Sequence, residues 1–132
     1  MSYQSRNLCI VCNGVTITGA GTPVDIRTVA VPAGVTRWVP TRIALWCEGT
    51  GGSLAAATLG LWTQAGGAGT SLLSAASGIL TNMTTTGQYQ ALTVSSPTAV
   101  YTSTGITLRQ DIPAAASATG TVGVLIYIDS FA

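Results

Sequence analysis

Alternation with a period of two runs through most of this chain, and Gly, Pro, Asn and Ser interrupt it at short intervals. β-Branched residues are frequent in the alternating stretches, as expected for half-buried strands. Segments 8–12 (LCIVC) and 15–18 (VTIT) flank Asn13-Gly14. An Asn-Gly pair between two apolar runs predicts a tight hairpin, because both residues tolerate positive φ. Segment 24–31 (VDIRTVAV) lies between Pro23 and Pro32. Strand alternation puts its Val24, Ile26 and Thr28 on one face and Asp25 and Arg27 on the other. Segment 37–47 (RWVPTRIALWC) is long and apolar on both faces. Val39, Ile43, Leu45 and Cys47 share one face; Trp38, Arg42, Ala44 and Trp46 share the other. Pro40 lacks a ladder donor, which predicts an edge or a bulge there.

Segments 59–62 (LGLW), 88–94 (QYQALTV) and 105–110 (GITLRQ) read as further strands. Segment 121–128 (TVGVLIYI) is apolar on both faces and reads as a central strand. The stretch 53–80 is ambiguous. Within it, 71–80 carries Leu72, Leu73, Ala76, Ile79 and Leu80 at helical spacing behind Thr70 or Ser71 as a cap. Short strands or an irregular loop fit it equally well. Eight or nine short strands with regular turn signals predict an all-β sandwich or barrel. No linker divides the chain, so a single domain over 8–132 is expected. Residues 1–7 (MSYQSRN), with Tyr3 and Arg6, read as a flexible N-terminal arm, a segment that in an assembly reaches onto a neighbour.

Charge changes the picture. Five arginines and four acids are the only charged side chains among 132 residues, and there is no lysine or histidine. At 7% charged against about 25% in typical domains, the surface must consist largely of Thr, Ser, Gly, Ala and apolar groups. Surfaces of that kind are usually covered by a partner. Interfaces also favour Trp and Arg over Lys, and this chain has three Trp and only Arg as cation. The net charge of +1 and the lack of a basic stripe argue against nucleic acid. No apolar run approaches the length of a spanning helix, so no membrane partner is expected. The N-terminal apolar stretch is too short for a signal-peptide core, which predicts cytoplasmic synthesis.

Candidate chemistry is sparse. Cys9-x-x-Cys12 resembles half of a zinc or redox site, but only Cys47 remains as a further sulfur ligand. Positions i and i+3 of a strand also face opposite sides. Without His or Lys, the usual nucleophile–base pairs are unavailable within one chain. Asp25 and Glu48 are conceivable as a carboxylate pair for glycoside hydrolysis. Asp25 near Arg27, and Asp111 near Arg109, are more simply surface ion pairs. No catalytic residue, metal, cofactor or small-molecule substrate is expected, and the protein is read as not an enzyme. Trp38, Trp46 and Trp62 suit a sugar-stacking platform or, alternatively, the core or a subunit interface, and the scarcity of polar groups around Trp38 and Trp46 favours core or interface.

Two stretches, VPAGVTRWVPTRIALW at 31–46 and ITLRQDIPAAASATGTVGVLIYIDSF at 106–131, together with the Thr/Ala/Gly-rich, Lys-poor texture of 14–128, resemble the small all-β virion proteins of tailed bacteriophages, particularly capsid cement or decoration proteins. The resemblance implies a jelly-roll-like antiparallel β-sandwich of about eight strands. It implies a homo-oligomer, dimer or trimer, on the outer surface of an icosahedral capsid, clamping adjacent major capsid subunits. Tyr3, Arg6, Arg37, Trp38, Arg42, Trp46 and Trp62 are the candidate interface residues. The alternatives are a carbohydrate- or host-surface-binding β-domain of a phage fibre, or another head or tail component.

Overall fold

The computed structural model describes residues 5–18, 24–50, 54, 57–73, 80, 84–96, 98–112 and 119–131. Seven strands occupy them: β1 (Ser5–Thr18), β2 (Val24–Ala30), β3 (Arg37–Thr50), β4 (Thr58–Trp62), β5 (Tyr89–Leu92), β6 (Gly105–Ile112) and β7 (Thr119–Phe131). They form two antiparallel sheets in the orders β1-β7-β3-β5 and β2-β6-β4. From β1 to β4 and again from β5 to β7, each strand lies in the sheet opposite to its predecessor. That interleaving is the winding of a jelly roll. The strand missing from the smaller sheet survives as a fragment. Leu72 N–H donates to the Leu61 carbonyl at 2.8 Å and Thr63 N–H to the Thr70 carbonyl at 3.0 Å. Single bridges join Trp62 to Ser71 and Leu73 to Val94. The ambiguous 71–80 segment therefore begins extended rather than helical, and 74–79 lie outside the described residues.

Period-two alternation builds the core. β7 contributes Val122, Val124, Ile126 and Ile128, and β3 contributes Ile43, Leu45 and Cys47. β1 adds Ile10, Cys12, Val15 and Ile17. From the smaller sheet come Ile106, Leu108, Leu59 and Leu61. Burying each large aliphatic side chain of this kind stabilises the fold by about 1.5–3 kcal/mol before the cost of ordering it.

Register shifts interrupt the simple alternation at five places, and three of them correct an expectation. In β1, Cys12 faces Val124 and Val15 faces Val122, so one extra residue is looped out at Asn13-Gly14, with Gly14 at φ 67°. The expected hairpin between 8–12 and 15–18 does not form. β7 is long enough to partner both halves, and one looped-out residue returns Val15 and Ile17 to the buried face. In β3, Pro40 faces Ile128 and Arg42 faces Tyr127, leaving Thr41 extra. Pro40 thus stands at a bulge, one of the two settings its missing donor predicts. In β2, Asp25 faces Arg109 and Arg27 faces Leu108, leaving Ile26 extra. Asp25 and Arg27 therefore do not share a face. The N-terminal arm also starts differently from expectation: Ser5, Arg6 and Asn7 pair with Phe131, Ser130 and Asp129. The end of β7 offers these residues a ladder that a free arm would forgo.

Candidate docking face

The two outward faces of the sandwich are built differently. On the smaller sheet, Arg109 pairs with Asp25 at 2.9 Å across β6 and β2. The single turn Ala65–Gly67 contacts β2, β4 and β6, and Gly66 N–H donates to the second Asp25 oxygen at 2.8 Å. A Cβ on Gly67, whose φ is 72°, would sit 3.2 Å from the Arg109 Nε. Hydrogen bonds from Arg109 and then from Gly66 hold the Asp25 carboxyl below its ordinary pKa. An acid kept ionised in this way is suited to an ion pair and poorly suited to general-acid catalysis. Glu48, the other candidate carboxylate, accepts the Gly14 N–H at 2.6 Å.

The larger sheet presents rows of side chains fixed by its register. Cys9, Tyr127 and Arg42 form one row; Val11, Leu125, Ala44 and Ala91 the next; Gly123, Trp46 and Tyr89 a third. Val11 is 55% exposed and Tyr89 46% exposed, while Leu125, Tyr127 and Trp46 are half-buried. The Trp46 indole occupies the space beside Gly123: a Cβ there would lie 1.9 Å from its Cζ2. Arg42 lies over two tyrosines, its guanidinium carbon 5.6 Å from the Tyr127 ring centre and 6.0 Å from that of Tyr89. It also donates to the Tyr89 hydroxyl, which favours its charged form. The small Ala44 and Ala91 separate Arg42 from Tyr89 along the strands and leave room for this contact. The result is an apolar and aromatic patch on which the Arg42 cation rests against two π-faces; toward the strand ends the same face continues with Asp129 and then Arg37.

The seven candidate residues are scattered by the fold. Arg42 and Trp46 share this face. Trp38 does not: it is fully buried, with its ring centre 5.1 Å from Tyr101 and its Nε1–H donating to the Ser103 carbonyl at 2.9 Å. The Thr41 bulge shifts the parity of β3, so Trp38 joins Ile43, Leu45 and Cys47 inside and is a core residue rather than an interface anchor. Trp62, half-buried, belongs to the smaller sheet opposite Thr107. Arg37 begins β3 opposite Phe131 and is exposed. Arg6 is exposed at the open end of the sandwich, in a cleft with Leu8, Pro32, Val35, Ser130 and Phe131. Tyr3 lies outside the described residues. Cys9 is exposed and Cys12 buried, on opposite faces as their spacing requires, and burial pushes the Cys12 thiol pKa up despite Arg27 nearby.

No protein-family model matches the chain, and no curated protein matches it. Among solved structures, a chain of the "Cyanophage Pam1 capsid asymmetric unit" superposes with a TM-score of 0.50 at 17% identity. The match covers 94% of this chain and 86% of that one. This is a likeness of fold between two chains of comparable length.

Tyr89, Tyr127, Val11 and Leu125 escaped the sequence reading. Segment 121–128 reads from its sequence as a central strand that is apolar on both faces. β7 is central in its sheet, between β1 and β3, yet its second face remains half-open. The signal was Gly123 in an otherwise bulky run, since a glycine inside a strand marks a close approach by another group.

Proposed function

We propose that this protein is a structural virion component that binds the outside of an icosahedral phage capsid as a homo-oligomer and cements adjacent major capsid subunits. The observation that carries this reading is the outward face of the β1-β7-β3-β5 sheet. Apolar and aromatic side chains there stand half-exposed around Arg42. Such a face gains by being covered. The shared fold with a capsid chain supports the setting. The mechanism is linkage: contacts that exist only on the assembled lattice stabilise that lattice by mass action. Trp46 and Leu125 act as buried anchors, and Arg42 supplies directed hydrogen bonds at the contact. The role requires no catalytic group, cofactor or nucleic acid.

Quantitative mass spectrometry of gradient-purified particles tests this by counting copies per major capsid subunit. A ratio near a simple fraction of one is expected. A few copies per particle would move the protein to a vertex, tail or fibre. Absence from intact particles would overturn the reading and put sugar binding by Trp46 first.

A further inference from the structure

Strand β1 pairs along one side only. Its partner is β7, and among the described residues no backbone hydrogen bond reaches residues 5–12 from any other segment. Proteins usually guard such an edge with lysine, proline, an inward charge or a covering loop. Here the guard is local. Arg27 reaches from β2 and donates to the carbonyls of Asn13 (2.6 Å) and Gly14 (3.1 Å). Those two bonds and the bulge occupy the edge at residues 13 and 14. Residues 7–12 (NLCIVC) contain no charge and no proline, and Val11 and Cys9 are exposed beside the edge.

An open edge accepts one kind of partner, an extended strand. We infer that the partner is β1 of a second copy, paired antiparallel about a two-fold axis perpendicular to the sheet. This rests on the homo-oligomer part of the proposed function and specifies its contact. The segment is complementary to itself. Such an axis keeps each residue on its own face, so a residue must lie on the dyad. With Cys9 there, Leu8 faces Ile10 of the second copy on the inner side. Asn7 then faces Val11 on the outer side, and no like charges stand opposite one another. Arg6 then falls opposite Cys12, at the end of the paired segment; placing Leu8 on the axis instead moves Arg6 one pair inward, against Ile10. Pairing through Cys9 joins the two larger sheets into one of eight strands. Their outward faces then lie side by side, which doubles the docking surface presented to a shell.

The test uses the purified full-length chain, away from any particle. Directly opposed residues of an antiparallel pair have Cα atoms about 4.5–5.5 Å apart, within the range a disulfide spans. Sedimentation velocity should show a dimer. Mild diamide oxidation of the native protein should then link it through Cys9–Cys9, as located by peptide mapping. Cys9→Ser should remain dimeric without cross-linking. Cys9→Lys places two ammonium groups across the axis and should weaken dimerisation about fivefold or more, with an unchanged circular dichroism spectrum. A monomer at every concentration would overturn the inference. So would an oligomer that neither cross-links through Cys9 nor responds to Cys9→Lys. A monomer here with many copies on particles refutes edge pairing and leaves the shell role standing. A cross-linked dimer absent from particles does the reverse.

Discussion

The two outward faces of this sandwich differ in how they dispose of their charges. The smaller sheet is closed on itself: Asp25 and Arg109 neutralise each other across the strands, and the Ala65–Gly67 turn packs over them. The larger sheet has no such turn among its described contacts. It spreads Val11, Leu125, Trp46, Tyr89 and Tyr127 outward and leaves Arg42 resting on aromatic rings. The lesson concerns low charge in general. Nine charged side chains do not make a surface uniformly adhesive; their placement decides which face remains available.

The strongest way to probe this contrast is to separate core from face within β3. Trp38→Ala should lower unfolding free energy by about 3–5 kcal/mol, as for other buried tryptophans, read from urea denaturation. Trp46→Ala should cost the isolated chain much less. It should weaken association with capsids by more than about 1 kcal/mol, measured by sedimentation of particles with titrated protein. If the two substitutions destabilise the isolated chain equally, Trp46 is core and the open face shrinks to its tyrosines.

A smaller effect sharpens the closed side. The pKa of Asp25 is lowered in the folded state, so its ion pair adds stability above the unfolded carboxyl value of about 4 and loses it as pH falls through the lower folded value. The pair is partly exposed, with side-chain accessibilities of 18% for Arg109 and 33% for Asp25, so its worth is about 1 kcal/mol or less. Asp25→Asn should therefore lower the urea midpoint at pH 7, and the gap to the parent protein should close in strong acid. A gap independent of pH would show that Asp25 acts through shape rather than charge.

The smallest effect concerns Arg42. Arg42→Met should leave the melting temperature of the isolated chain unchanged, because the group is exposed and bonded only to other surface residues. It should slow capsid association and reduce its dependence on salt. A large drop in melting temperature would mean that the Tyr89–Arg42–Tyr127 cluster braces the sheet instead of addressing a partner.

Much of the fold was legible in the chain. Alternation located the strands at 59–62, 105–110 and 121–128, because half-buried strands require period two regardless of where they pair. The expectation of Pro40 at an edge or bulge also follows from a local property, a missing donor. The site was far less legible. Trp38 and Trp46 have the same sequence parity, and only the extra residue at Thr41 puts one inside and the other outside. No feature near Asn13-Gly14 distinguishes a hairpin from a bulge; the length of β7 decides it. Asp25 found Arg109, 84 residues away, in preference to Arg27.

By itself the sequence determined an all-β chain, a core of alternating aliphatic residues and a surface too poor in charge to be fully solvated. These properties are sums over residues or depend on immediate neighbours. Tertiary structure decided the sheet order, the parity after each bulge, the covered face and the open one, and the edge of β1 that no other described residue pairs with. Each of those depends on which distant strand lies alongside, and a single looped-out residue reverses every side chain beyond it.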